Sequence, residues 1–118
     1  MAVLIRSIVF FLLFSGIASA GVKPFNQDEF DQLQQSGAPV LIWIHADWCP
    51  TCRAQQPVID RLLEQPAYKQ IHAFKVDFDQ QKSIVMFFKA IRQSTLIVFK
   101  GGNEIDRSLG VTDEKAIE

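Results

Sequence analysis

The sequence predicts a single α/β domain built on a mixed, largely parallel β-sheet with an antiparallel hairpin at its edge. Apolar runs rich in β-branched residues alternate with segments whose apolar residues recur at helical spacing, which is typical of strands joined by helices. The turn signal Gly101-Gly102 separates the last two strand-like segments and favours a hairpin. The 118 residues carry a net charge of −1 and 48% are hydrophobic, so the composition fits one globular domain and gives no basic surface for nucleic acid.

The first 20 residues have the three-part pattern of a secretory signal peptide. Arg6 supplies a positive charge, Ser7–Ile17 is almost wholly apolar, and Ala18-Ser19-Ala20 ends the segment with small residues. The apolar run is shorter than the ~20 residues that span a bilayer, which disfavours the alternative of an uncleaved anchor. We therefore expect residues 1–20 to be removed and residues 21–118 to form a soluble, exported domain.

The first helix has clear start and stop signals. Asn26 is a candidate N-cap with Glu29 three residues later, as in a capping box. Phe25 and Phe30 flank this cap at the two positions of a hydrophobic staple. Gly37 is placed to end the helix.

A continuous apolar run, Val40–His45, predicts a strand buried on both faces and hence a central strand. The segment after the two cysteines predicts a helix, with a kink at Pro57. Its apolar stripe is expected to comprise Ala54, Val58, Ile59 and Leu62.

The second half of the chain continues the alternation. Ile71–Phe78 predicts a strand, and the segment after Asp79 predicts a helix capped by that aspartate. Thr95–Lys100 predicts a strand whose hairpin partner is the segment "EIDRSL". Thr112 is a candidate cap for a last helix that is cut short.

Both cysteines lie in "HADWCPTCRAQQP", where the predicted central strand ends and the next predicted helix begins. A structural zinc site would need about four ligands, and the chain adds only His45 and His72. A disulfide between Cys49 and Cys52 closes a very small loop and so contributes little to stability. Both interpretations are weaker than a third, a redox pair.

The redox interpretation follows from the position of the cysteines. The thiolate is the reactive form of cysteine, and the N-terminus of a helix favours it through unpaired amides and the helix dipole. Cys49 begins the helix, so we expect it to attack. Cys52 lies one turn inside, so we expect it to be shielded until it resolves a mixed disulfide.

The chain resembles the thioredoxin family. The string "WCPTCRAQQP" has the family's Trp, Cys-x-x-Cys and following Pro, and the resemblance continues through "KVDFD", "STLIVFKGG" and the late "LG" over nearly all of residues 21–118. It implies a thioredoxin-like fold and thiol–disulfide exchange, with Cys49 and Cys52 as catalytic residues. The supporting residues it implies are Trp48, Lys75 and Pro57, and the substrate-binding residues are Ser94 and Thr95.

The resemblance also implies partners. Protein disulfides or thiols are the expected substrates, no bound cofactor is needed, and a membrane electron donor would recharge a reductase in the periplasm. "WCPTCR" is similar to the strings of secreted reductants that serve cytochrome c maturation, which favours a reductase over an oxidant. The alternative is a non-catalytic binding or chaperone-like module on the same fold.

Three features depart from the family pattern. Ser94 replaces the family's cis-proline, so we expect a trans Gln93–Ser94 bond. Trp43 replaces the buried aspartate beneath the cysteines, and the last helix is short. Among the other candidates, His45 is expected to satisfy a local hydrogen bond, His72 to lie at the surface, and Phe87-Phe88 to lie in the core.

Overall fold

The computed structural model describes residues 21–117. The predicted signal peptide, residues 1–20, lies outside the described residues, so its cleavage stays a prediction. Within the described part, no helix is both long enough and apolar enough to cross a membrane.

The described residues form five strands, four helices and one 3₁₀ turn. In chain order they are β1 Val22–Pro24, α1 Gln27–Ser36, β2 Val40–His45, α2 Pro50–Glu64, the 3₁₀ turn Pro66–Tyr68, β3 His72–Asp77, α3 Lys82–Phe87, β4 Thr95–Lys100, β5 Asn103–Leu109 and α4 Glu114–Ile117.

The five strands form one sheet in the order β1-β3-β2-β4-β5. Strand β2 pairs in parallel with β3 and antiparallel with β4, and β5 completes the hairpin at the edge. The mixed sheet with an edge hairpin confirms the predicted fold class. It is less parallel than expected, because β4 runs against β2 at the centre of the sheet. Strand β1 was not predicted, since three residues are too few to show a periodic pattern.

The central position of β2 explains its sequence. All six of its residues are buried, because helices cover both faces of the sheet at this point. Alternate side chains enter different cores: Ile42 and Ile44 join an aromatic cluster, whereas Leu41 and Trp43 join a cluster that contains both cysteines.

The predicted signals of α1 are confirmed. The side chain of Asn26 accepts a hydrogen bond from the Glu29 amide at 3.0 Å. The rings of Phe25 and Phe30 lie 5.7 Å apart between centroids, as a staple requires. Gly37 ends the helix at φ 76°, a left-handed conformation that glycine adopts without a Cβ clash.

Two predicted caps are wrong. Helix α3 begins after Gln81, whose side chain makes no cap hydrogen bond, and the carboxylate of Asp77 instead accepts from the Asp79 amide at 2.9 Å. In α4, Asp113 takes the place predicted for Thr112, because its carboxylate accepts from the Lys115 amide at 3.1 Å. In both cases a neighbouring aspartate reaches the turn's amides, which spacing alone does not reveal.

The prediction for Phe87-Phe88 is correct for one residue only. Phe88 is 3% exposed, and its ring meets those of Phe25, Phe30 and Phe99 at centroid distances of 5.3 to 5.6 Å. Phe87, the last residue of α3, is 57% exposed. Consecutive residues of a helix point in directions about 100° apart, so one of the pair must face solvent.

This adjacent pair provides a matched test of the aromatic core. Phe88→Ala should lower the free energy of unfolding by about 3–5 kcal/mol, because it removes a ring from a closed cluster. Phe87→Ala should change it by less than about 1 kcal/mol. Urea denaturation of both variants measures the difference, and equal losses would contradict the assignment of the core.

Candidate functional site

The two cysteines meet at the N-terminus of α2, as the sequence predicts. Cys49 is the N-cap, with extended backbone at φ −83° and ψ 112°, and its sulfur accepts a hydrogen bond from the Cys52 amide at 3.1 Å. Pro50 fits the first helical position, where no amide proton is needed. The Cys49 amide donates to the Ala46 carbonyl at 3.1 Å and so ties the cap to the end of β2.

Both thiols are free and both are buried. Cys52 is 0% exposed, which confirms the prediction that it is shielded. Cys49 is only 2% exposed, so a substrate disulfide can meet only a small part of this residue.

The surroundings of Cys52 disfavour its thiolate. Burial, followed by the hydrogen bond with Cys49, raises the pKa of Cys52 to about 11. The charge of Cys49 acts in the same direction on this pKa, whereas backbone hydrogen bonds of Ala46 and Ser94 lower it. Cys52 is therefore a neutral thiol at neutral pH while Cys49 is free.

Ser94 lies beside the cysteine pair in an unusual backbone conformation. Its φ is 58°, in the left-handed region that non-glycine residues rarely occupy. Residues 21–117 contain no cis peptide bond, which agrees with the expected trans Gln93–Ser94 bond. The Ser94 carbonyl accepts from the Gly110 amide at 3.0 Å, and its hydroxyl donates to the Gln93 carbonyl at 2.6 Å.

The side chains of Ser94 and Thr95 point into the protein. They are 7% and 3% exposed, and the Thr95 hydroxyl donates to the Arg92 carbonyl at 2.8 Å. Because these fractions are for whole residues, the loop leaves little of either backbone or side chain at positions 94 and 95 for a substrate to contact. Their assignment as substrate-binding residues stays a prediction.

Gln55 belongs to the site and was missed by the sequence analysis. It is 0% exposed, and its carbonyl oxygen accepts from Trp43 Nε1 at 2.9 Å. Its amide nitrogen donates to the Ser94 carbonyl at 3.2 Å and to the Val111 carbonyl at 2.9 Å. The predicted stripe on α2 included Ala54, which is exposed. Position 55 lies three residues after Cys52, so helical spacing could have placed it on the buried face.

Trp43 takes a buried place next to two cationic or titratable groups. Its ring is 0% exposed, and the ammonium of Lys75 lies 5.8 Å from the ring centroid, within cation–π range. The His45 ring lies 4.6 Å from the Trp43 ring. Burial, followed by the charge of Lys75, lowers the pKa of His45, although Asp47 and Asp77 oppose this.

The roles of the predicted supporting residues are unequal. Trp48 is 55% exposed beside the cysteines and is held by its indole nitrogen, which donates to Asp79 Oδ2 at 2.6 Å. Lys75 lies over the ring of Trp43, and its supporting role at the cysteines stays a prediction. Pro57 lies on the exposed side of α2, which runs unbroken from Pro50 to Glu64, and the predicted kink stays a prediction.

The two histidines lie in different surroundings, and neither belongs to a metal site. His72 is exposed, as predicted. His45 Nδ1 lies 3.7 Å from Asp47 Oδ1. At this distance the two groups can attract each other electrostatically when His45 is protonated, but they are too far apart for a hydrogen bond. Among residues 21–117, no three His, Cys, Asp or Glu side chains come together in a group that could hold a metal ion.

Comparison with known proteins agrees with this geometry. Residues 21–118 match the family model described as Thioredoxin. A thioredoxin of Chlamydia muridarum is 33% identical over 96 residues, which are 81% of this chain and 91% of that protein. The crystal structure of Trxlp from Edwardsiella tarda is 43% identical, with a TM-score of 0.79 over 82% of this chain and 94% of that one. With its Cys49-x-x-Cys52 pair at the N-terminus of α2, this chain belongs to the thioredoxin family and is a thiol–disulfide oxidoreductase.

Proposed function

We propose that this oxidoreductase reduces protein disulfides in the periplasm and is itself reduced by a membrane electron donor. Thiol–disulfide exchange follows from membership of the family. The direction of electron transfer, the periplasmic location and the membrane electron donor are what we propose. The signal-peptide pattern of residues 1–20 supports export, and the "CPTC" string resembles those of secreted reductants.

The environment of Cys52 bears on the stability of the reduced pair. A dithiol pair is a strong oxidant when the protein stabilises its reduced form, chiefly as a thiolate. Here burial raises the pKa of Cys52 to about 11, and only backbone hydrogen bonds of Ala46 and Ser94 act against it. A Cys52 thiolate therefore adds nothing to the stability of the reduced pair, and the direction of transfer rests on the likeness of "CPTC" to the strings of secreted reductants.

The first step is an attack by the thiolate of Cys49. Its sulfur forms a bond with one sulfur of the substrate disulfide, and the substrate S–S bond breaks. The other substrate sulfur leaves as a thiolate, and a mixed disulfide joins the substrate to Cys49. The position of Cys49 as N-cap of α2 directs the partial positive charge of the helix terminus at the attacking sulfur.

The second step requires Cys52 to lose its proton. Once Cys49 is bound to the substrate, it carries no charge, and its hydrogen bond with Cys52 is lost or weakened. Two of the three causes that raise the pKa of Cys52 then fall away; burial, the largest cause, stays, as do the lowering contacts of Ala46 and Ser94. Formation of the mixed disulfide thus activates the thiol that ends it.

The second attack completes a two-electron transfer. Cys52 gives its proton to the departing substrate thiolate or to water and bonds to Cys49 Sγ, which breaks the mixed disulfide. The substrate leaves with both sulfurs as thiols, and the protein is left with a Cys49–Cys52 disulfide. A donor dithiol must return two electrons before the next cycle.

The redox potential of the pair tests the direction. Equilibration with glutathione buffers should give a midpoint nearer to about −270 mV, as for a reducing thioredoxin, than to about −120 mV, as for a strong disulfide donor. Cys52→Ser, which cannot form the intramolecular disulfide, is the control and should give only a mixed disulfide of Cys49 with glutathione, recognised by its added mass. A midpoint near the oxidising value would overturn the proposal of a reductase and leave the family assignment intact.

The pH dependence of the second step tests the role of Cys52. One equivalent of the aryl disulfide DTNB, whose thiolate product is coloured, should release a first thiolate through Cys49 and a second through Cys52. Because Cys52 reacts only after deprotonation, the second release should accelerate by up to about tenfold per pH unit below its pKa. Cys52→Ser should release the first thiolate only. A second release that is independent of pH between about pH 6 and pH 8 would contradict this role.

Export is tested by the N-terminus of the protein recovered from a Gram-negative host. The wild type should appear in the periplasmic fraction and begin at Gly21. Ala20→Leu should block processing because the cleavage site needs a small residue there, whereas Ser19→Leu at the tolerant middle position should be processed. Recovery of the wild type in the cytoplasm with Met1 in place would refute the localisation.

A further inference from the structure

Three large apolar side chains are exposed at the end of α3 and in the turn that follows it. Met86 and Phe87 are 75% and 57% exposed, and Ile91 is 83% exposed. Phe87 lines one surface groove and Ile91 lines a second, and the two grooves adjoin because Lys89 and Arg107 line both. Met86, Phe87, Lys89 and Ile91 therefore form one continuous surface, which we call the α3 surface.

The charged side chains of this segment have one sign. Residues 82–92 hold no carboxylate and three exposed cations, Lys82, Lys89 and Arg92. The whole chain is close to balance, with 12 cationic and 13 anionic side chains. Within the described residues, none of these three cations takes part in an ion pair with a carboxylate.

The carboxylates around the segment leave this positive charge uncompensated. Glu104 lines the groove beside Lys89, but Arg107 Nη2 binds its carboxylate at 2.6 Å, so this pair is neutral as a whole. Asp77 and Asp79 precede the N-terminus of α3, whereas the α3 surface lies at and beyond its C-terminus. The α3 surface thus combines exposed apolar side chains with positive charge.

This combination distinguishes among the possible occupants. A symmetric pair of chains would bring the same cations together, and like charges repel, so a second copy is disfavoured. Lysine is depleted in interfaces between proteins, and two of the three cations are lysines. Apolar side chains beside lysine and arginine instead suit the boundary of a bilayer, where the apolar groups enter the acyl region and the cations meet anionic headgroups.

We propose that the α3 surface docks on an anionic lipid bilayer, with Phe87 and Ile91 inserted and Lys89 against the headgroups. The segment ends at Arg92, two residues before Ser94, whose backbone bonds to Cys52. Docking therefore holds the cysteine pair beside the membrane, within reach of the proposed electron donor. This last consequence rests on the proposed function, whereas the lipid contact does not.

Flotation with lipid vesicles tests the contact. Vesicles of equal parts phosphatidylglycerol and phosphatidylcholine should bind the protein at least about tenfold more tightly than vesicles of phosphatidylcholine alone, because several cations face the anionic headgroups. Raising the salt from about 0.05 M to about 0.5 M should weaken this binding by screening. All variants carry the same N-terminus, so residues 1–20 cannot produce a difference among them.

Two isoleucines form a matched pair for the apolar contact. Ile91 is 83% exposed and precedes Arg92, whereas Ile105 is 60% exposed on β5 between Glu104 and Asp106. Ile91→Ser should weaken binding to the anionic vesicles about tenfold, because it removes an inserted side chain. Ile105→Ser should leave the binding within about twofold of the wild type, because carboxylates keep that side chain away from the headgroups.

Two lysines form the corresponding pair for charge. Lys89→Gln should weaken binding to the anionic vesicles about fivefold, since one cation near an anionic surface contributes ~1 kcal/mol. Lys69 is exposed after the 3₁₀ turn, outside the α3 surface, and Lys69→Gln should change the binding by less than about twofold.

Several outcomes would overturn the proposal. They are an absence of binding, equal binding to both kinds of vesicle, and equal losses at positions 91 and 105. A dimer in sedimentation experiments that Ile91→Ser dissociates would assign the surface to a second copy instead. The first DTNB release should be unchanged in all four variants. Loss of lipid binding with intact sulfur chemistry would count against this inference alone, and an oxidising midpoint potential would count against the reductase alone.

Discussion

The hydrogen bond from the Cys52 amide to the Cys49 sulfur is the contact on which the site depends. It makes a cysteine the N-cap of α2, a place usually taken by Ser, Thr, Asp or Asn. The attacking sulfur thereby gains the amides and dipole of the helix, and the resolving sulfur is held in the first turn behind it. In the proposed cycle, this local interaction places Cys49 as the attacking thiol and Cys52 as the resolving one.

The sheet and the core cluster that contains both cysteines hold the N-terminus of α2 in place. Strand β2 is buried along its whole length. It is followed directly by Ala46, whose carbonyl accepts a hydrogen bond from the Cys49 amide. Below the cysteines, Trp43 fills the core and offers one polar atom, its indole nitrogen, which Gln55 satisfies. A buried polar group needs a partner, so the tryptophan on β2 and the glutamine on α2 are understood as one unit.

Much of this architecture follows from local sequence signals, and the limits have physical causes. Some features are encoded within a few residues, so the local sequence pattern is sufficient to predict them. They are the helix cap at Asn26, the helix end at Gly37 and the buried strand Val40–His45. The direction of β4 depends on contacts far apart in the chain, and β1 is too short to have a period. The predicted caps Asp79 and Thr112 were wrong because several polar residues compete for the amides of the same turn, and it is Asp77 and Asp113 that bond to them. Gln55 was overlooked because a glutamine in a helix usually faces solvent, and only the partner atoms on β2 and the Ser94 loop reveal why it is inside.

The ammonium of Lys75 above the indole of Trp43 has a consequence for tolerance of acid. A lysine that faces a carboxylate loses its attraction when that carboxylate takes up a proton in an acidic medium. An aromatic ring has no proton to gain, so its attraction for the cation persists wherever lysine stays charged. The contact between Lys75 and Trp43 is therefore expected to persist at an acidity that would break a pair between lysine and a carboxylate.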